Sequence, residues 1–148
     1  MQEIVLKKVT ENKMRIVIPS IRTEKMTLVA EEQTVKIKGR LDVQFPKQTL
    51  GLFLNNLHKE VCKKNGDMIY LDITELSYVN SASIREFLSW LLFVLKLPEG
   101  QKYNVYVKLS QEEICQASLG KSLALLYNRV ALFDVETNER LDPKLLKV

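Results

Sequence analysis

The sequence predicts an α/β fold, a mixed β-sheet flanked by helices, ordered βαβαβαβ from residue 34 and preceded by N-terminal β-hairpins. Two periodicities carry this prediction. Short runs rich in β-branched residues read as strands, and between them lie longer segments whose apolar residues recur at three and four, the spacing of amphipathic helices. Bulk composition agrees: 148 residues with 46% hydrophobic and 27% charged content are enough for one core and ordinary for a globular chain.

The elements follow in order. "EIVLKKV" (3–9) and "KMRIVIP" (13–19), with "TEN" between them, read as a hairpin that Pro19 ends. "KMTLVA" (25–30) and "TVKIKG" (34–39) form a second hairpin around Glu31, Glu32 and Gln33, and Val35 and Ile37 alternate with Lys36 and Lys38 as in a half-buried strand. Over 45–66 the period changes, and Leu50, Phe53, Leu54, Leu57 and Val61 mark one helical face. Pro46 suits its first turn, and Asn65-Gly66 its end. "DMIYLDI" (67–73), nearly continuous in apolar residues, is the expected central strand, and 74–80 reads as a turn. A second helix opens at "NSASIREFLSWLLFVLK" and stops at "LPEG". "YNVYVKL" (103–109) alternates as a strand, 111–128 is a third helix opened by Ser110 and two glutamates, and "RVALFDVE" (129–136) is the last strand. The expected organisation is an N-terminal β extension (1–24) on the same domain, a domain over 25–136, and a tail over 137–148.

Several function classes lack a basis. The net charge of +4 is scattered, with no basic run of five or more, so no nucleic-acid partner is expected. Cys62 and Cys115 have no C-x-x-C partner and His58 is the single histidine, so no metal set is expected. The start has no signal-peptide pattern, and the most apolar stretch, "FLSWLLFVLKL", is eleven residues, too short to span a bilayer. A cytoplasmic protein without a membrane partner is expected. Gly120-Lys121-Ser122 imitates the end of a phosphate loop, but Cys115 stands where its first glycine belongs and the stretch reads as mid-helix. No nucleophile has an oriented base, so no enzyme is expected.

One stretch singles itself out. In "YVNSASIREF" (78–87) a small polar cluster opens a strongly apolar helix at the carboxyl edge of the sheet, where sites in such folds gather. Asn80 is a good N-cap, and Ser81 falls in the first turn, where helix amides and the macrodipole tolerate a phosphate. Arg85 is four residues after Ser81 and has no acidic neighbour on its own helix, so it is a candidate partner for that phosphate. Along the same helix the core stripe centres on Ile84, Leu91 and Leu95, which puts Trp90, Phe93 and Leu97 on the opposite side as an interface or as a surface covered by a terminus.

Two segments in this order resemble a known family. "VKIKGRLD" (35–42) looks like a strand ending in Gly-x-Leu-Asp, and "MIYLDITELSYVNSASI" (68–84) looks like the strand and Asp-Ser-Ser-Gly-Leu turn of the STAS family, the sulfate transporter and anti-sigma factor antagonist domain. The resemblance covers about residues 25–136. It implies a small α/β domain with no cofactor. It also implies a bacterial partner-switching role, in which a serine at the head of the second helix is phosphorylated by a kinase that is also the anti-sigma factor and dephosphorylated by a cognate phosphatase. That serine falls on Ser81, with Ser83 as second candidate, and the implied docking surface comprises Ser77, Asn80, Ser81, Ser83, Arg85, Trp90 and Phe93. The chain departs from the family pattern: Asn80 replaces Asp, Ala82 the second Ser, Ser83 the Gly, and Arg85 a small residue. A non-phosphorylated scaffold or homodimerisation module, using Trp90 and Phe93, is the alternative.

Overall fold

The structure, a computed structural model, describes residues 14–148. Its strands are β1 (Ile21–Arg22), β2 (Met26–Glu31), β3 (Thr34–Leu41), β4 (Met68–Asp72), β5 (Leu76–Val79), β6 (Asn104–Leu109), β7 (Val130–Asp134) and β8 (Arg140–Leu141). Its helices are α1 (Leu50–Lys63), α2 (Ser81–Leu95) and α3 (Ile114–Leu126). The fold is α/β with a mixed eight-stranded sheet ordered β1-β2-β3-β4-β6-β7-β8, and β5 continues beside β3 where β4 leaves it. Strands β3, β4, β6 and β7 are parallel neighbours, and β1, β2 and β8 add antiparallel pairs at the two edges.

This order fixes where the helices lie. Each crossover advances the chain one strand in the same direction, so right-handed connections bring all three helices to one face. There α1 packs on α2 and α2 on α3, and the inward residues Val35, Ile37, Ile69, Leu71, Val105, Val107 and Leu132 join one core. The opposite face carries Lys36, Lys38, Tyr70, Tyr106, Lys108 and Phe133, with no helix over it among the described residues. β4 is therefore half-buried and not enclosed on both sides: Tyr70 is 43% exposed and packs against Tyr106. Its apolar run concealed an alternation, because a tyrosine tolerates the wet face.

The first expected hairpin is not described as one. Its strand at 3–9 lies outside the described residues, and 14–20 has no strand assignment. This segment is nonetheless fastened to the domain. Ile16 is buried and donates its N–H to the Glu32 carbonyl at 2.7 Å. Glu60 accepts the Val17 N–H at 2.7 Å and pairs with Lys64 at 2.8 Å, and Lys64 also reaches the Arg15 carbonyl. The Lys64 and Val17 hydrogen bonds hold the Glu60 carboxyl below its ordinary pKa.

The second hairpin turns at Glu32, and β3 runs on through a bulge between Gly39 and Arg40. Gly39 has φ +90, and a Cβ there would run into the Lys25 carbonyl, so the bulge requires glycine. α1 buries the five residues its spacing predicts, but a short 3-10 turn at Pro46–Gln48 precedes it, so it starts at Leu50. α3 starts at Ile114, three residues later than expected. The side chain of buried Gln116 accepts the Ser110 N–H at 2.8 Å and donates to the Thr74 and Leu76 carbonyls at 3.0 and 2.9 Å, tying α3 to the start of β5. β7 stops at Asp134, whose carboxylate turns back to accept from Gln111 and Thr137; those bonds hold its pKa below the ordinary value. The segment 137–148 is built into the domain: β8 pairs with β7, Leu146 is buried, and Lys121 donates to the Leu146 and Val148 carbonyls. Gly120-Lys121-Ser122 lies inside α3, as its sequence context indicates. Among the described residues no helix is long and apolar enough to cross a membrane.

Candidate functional site

The carboxyl edge of the sheet is assembled by β3, β5 and the start of α2. Residues 76–79, expected within a turn, pair with β3 as the strand β5, which carries Ser77 and Tyr78 outward on the exposed edge. Ser77 Oγ donates to the Gly39 carbonyl at 3.1 Å. The Arg40 guanidinium lies 4.6 Å from the centre of the Tyr78 ring and pairs with Asp42, which Lys25 also approaches. Desolvation raises the Asp42 pKa, but the Arg40 hydrogen bond and the charges of Lys25 and Arg40 outweigh it, so the carboxyl stays below its ordinary value.

Asn80 joins these strands to the helix. Its backbone N–H donates to the Leu41 carbonyl at 2.9 Å, and its Nδ2 to the Val43 carbonyl at 3.0 Å. Its Oδ1 accepts the Ser83 N–H at 2.8 Å, the geometry of an N-cap. Ser81 is the first helical residue and is exposed. The cap belongs to Asn80, so the Ser81 hydroxyl has no part in it. Arg85, one turn further, is exposed and in no ion pair among the described residues.

Two sequence-predicted site residues are corrected. Ser83 is 1% exposed and its Oγ donates to the Leu41 carbonyl at 3.3 Å, so it is a packing hydroxyl, closed to a kinase and to a partner. Trp90 is 2% exposed and belongs to the core, while Phe93 is 54% exposed as its spacing suggests. The buried positions of α2 are Ser83, Phe87, Trp90, Leu91 and Val94, a stripe rotated from the predicted one. α2 sits between α1 and α3, so apolar residues are needed on several sides and a summed helical angle loses its meaning. The indole finds its acceptor inside: Trp90 Nε1 donates to Tyr103 Oη at 3.0 Å, and Tyr103 Oη lies 2.8 Å from His58 Nδ1. Tyr103 is fully buried, so its proton goes to His58 Nδ1, which leaves the imidazole neutral with its hydrogen on Nε2. Burial pushes the His58 pKa down and the Tyr103 pKa up.

Beside Ser77 and Tyr78, an open groove of about 510 Å3 runs past Ile84 of α2 to the start of α3, where Glu112, Glu113 and Ile114 face it. Ile114 is 77% exposed. Sequence reasoning missed this wall of the site. Its signal in the sequence is the pair of glutamates before Ile114, whose charges also suit a helix start. Among the described residues no group of three or more His, Cys, Asp or Glu is placed to hold a metal, and both cysteines are free thiols. No family model matches the chain, and neither a curated protein nor a solved structure matches it.

Proposed function

We propose that the chain is a cytoplasmic bacterial regulatory protein of STAS type, which binds a serine kinase of anti-sigma type through the edge formed by residues 77–85 and is switched by phosphorylation of Ser81. The observation that carries this reading is the division of labour at the helix start. Asn80 supplies the cap through Ser83 N–H, and the neighbouring Ser81 is exposed without a share in that cap. A phosphate there adds about two negative charges at a helix N-terminus, which favours anions, so the fold survives while the docking surface changes sign. Arg85, one helical turn away and in no described ion pair, is available to the phosphate.

The test is incubation with the cognate serine kinase and ATP, followed by site-resolved mass spectrometry. One phosphate on wild type and on Ser83→Ala, with none on Ser81→Ala, is the expected result. Incorporation that persists in Ser81→Ala refutes the assignment. The exposed pair Leu92 and Phe93 favours a second reading, a constitutive binding or dimerisation module. Under it, wild type elutes as a dimer in size exclusion and Phe93→Glu as a monomer, and Ser81→Ala still binds its partner unchanged.

A further inference from the structure

On the other flank of α2, between it and α1, lies a hollow of about 280 Å3. Asn55 and His58 line it from α1, and Glu86, Ser89, Trp90 and Phe93 from α2. The four α2 residues form one stripe at three- and four-residue spacing, so they face the hollow together. Gly51 makes room for the acid, since a Cβ there would lie 2.7 Å from a Glu86 carboxylate oxygen. None of the ion pairs among the described residues uses Glu86. The face of Phe93 is already approached by a cation, the Lys96 ammonium 5.8 Å from the ring centre. Lys47 lines an adjoining hollow that shares Glu86, but no described ion pair joins them.

A carboxylate in no ion pair among the described residues, beside two aromatic rings and neutral hydrogen-bonding groups, selects an organic cation over an anion. A single carboxylate does not hold a metal ion. The volume is at the small end of ligand cavities, which span roughly 300–1,000 Å3, so it fits a group the size of one side chain. Among organic cations, a guanidinium uses both features, because its planar fork pairs with a carboxylate and stacks on aromatic faces, whereas an ammonium is a compact point charge. We propose that this hollow binds a guanidinium group, with Glu86 as the ionic partner and Phe93 as the stacking wall. The site does not depend on phosphorylation of Ser81.

Trp90, the one tryptophan of the chain, forms part of the wall and reports occupancy by its emission. The probes are butylguanidinium and acetyl-Gly-Arg-Gly-amide, each compared with its uncharged counterpart, butylurea and acetyl-Gly-citrulline-Gly-amide. Saturable emission changes are expected with the guanidinium compounds and not with the ureas. Glu86→Gln, close in shape, is expected to weaken binding about tenfold or more, the loss of a charged hydrogen-bond partner. Gly51→Ala favours the helix yet displaces the carboxylate, and weakens binding as well. Tighter binding of the peptide identifies a partner protein's arginine as the source; tighter binding of butylguanidinium identifies a free small molecule. The proposal is overturned if neither guanidinium compound gives a saturable change, if the ureas match them, or if Glu86→Gln binds as wild type does.

Discussion

Asn80 and Ser81 are adjacent and do opposite things. Asn80 serves three backbone groups, the Ser83 N–H and the Leu41 and Val43 carbonyls, whereas Ser81 is exposed on the first turn. Only the first and third of these contacts use its side chain. Asn80→Ala is therefore expected to cost about 1–2 kcal/mol, a cap and a partly exposed hydrogen bond, read as a lower urea midpoint at unchanged slope. Ser81→Ala is expected to change stability by less than about 0.5 kcal/mol, as an exposed substitution does. Equal losses at the two positions would mean that Ser81 is structural. At Gly39 the backbone is left-handed and a side chain meets the Lys25 carbonyl, so Gly39→Ala is expected to cost about 1–3 kcal/mol in the same measurement. The cap and the glycine were legible in the sequence because both act through local backbone geometry. The burial of Ser83 was not, since its acceptor is the carbonyl of Leu41, distant along the chain.

Among the elements, α1, α2 and the residue that leads into β6 meet in the chain of hydrogen bonds from Trp90 through Tyr103 to His58. Tyr103→Phe leaves the buried indole N–H without an acceptor and is expected to cost about 1–3 kcal/mol, measured by chemical unfolding. His58 adds a pH dependence. Its folded-state pKa is below the ordinary value of 6.5 because burial disfavours the charged ring. The unfolded chain thus binds the proton more readily, and stability is expected to be full above that value and to decline as pH falls through it. Protonation of Nδ1 would also strand the Tyr103 proton. Since His58 is the single histidine, a urea midpoint that drops between pH 8 and pH 5.5 in wild type but not in His58→Gln identifies the group. An identical drop in both contradicts it. The five-residue core stripe of α1 was legible because its other face is polar. The orientation of α2 was not, because two neighbouring helices and the sheet surround it. β5 was hidden because "ELSYVN" carries polar residues on an exposed edge and only its pairing with β3 makes it a strand.

Across the whole molecule, the alternation of periods was sufficient for the α/β class and the parallel centre of the sheet. The handedness of the crossovers then put all three helices on one face and the starts of α2 and α3 at one edge. That convergence creates the groove beside Ser77 and Tyr78, whose far wall comes from α3, more than thirty residues later in the chain. No local pattern could reveal it, and the same holds for β8, whose two residues form a strand only against β7. The proposed switch requires that phosphorylation at Ser81 change the charge of this edge while the fold stays intact. The most direct measurement is the affinity of the cognate kinase for the unmodified protein and for protein phosphorylated at Ser81, with the thermal midpoint of each form recorded alone. Binding at least about tenfold weaker is expected for the phosphorylated form, a difference of about 1.4 kcal/mol, at a thermal midpoint within a few degrees of the unmodified protein. Equal affinities, or a phosphorylated form that has lost its cooperative unfolding, would contradict it.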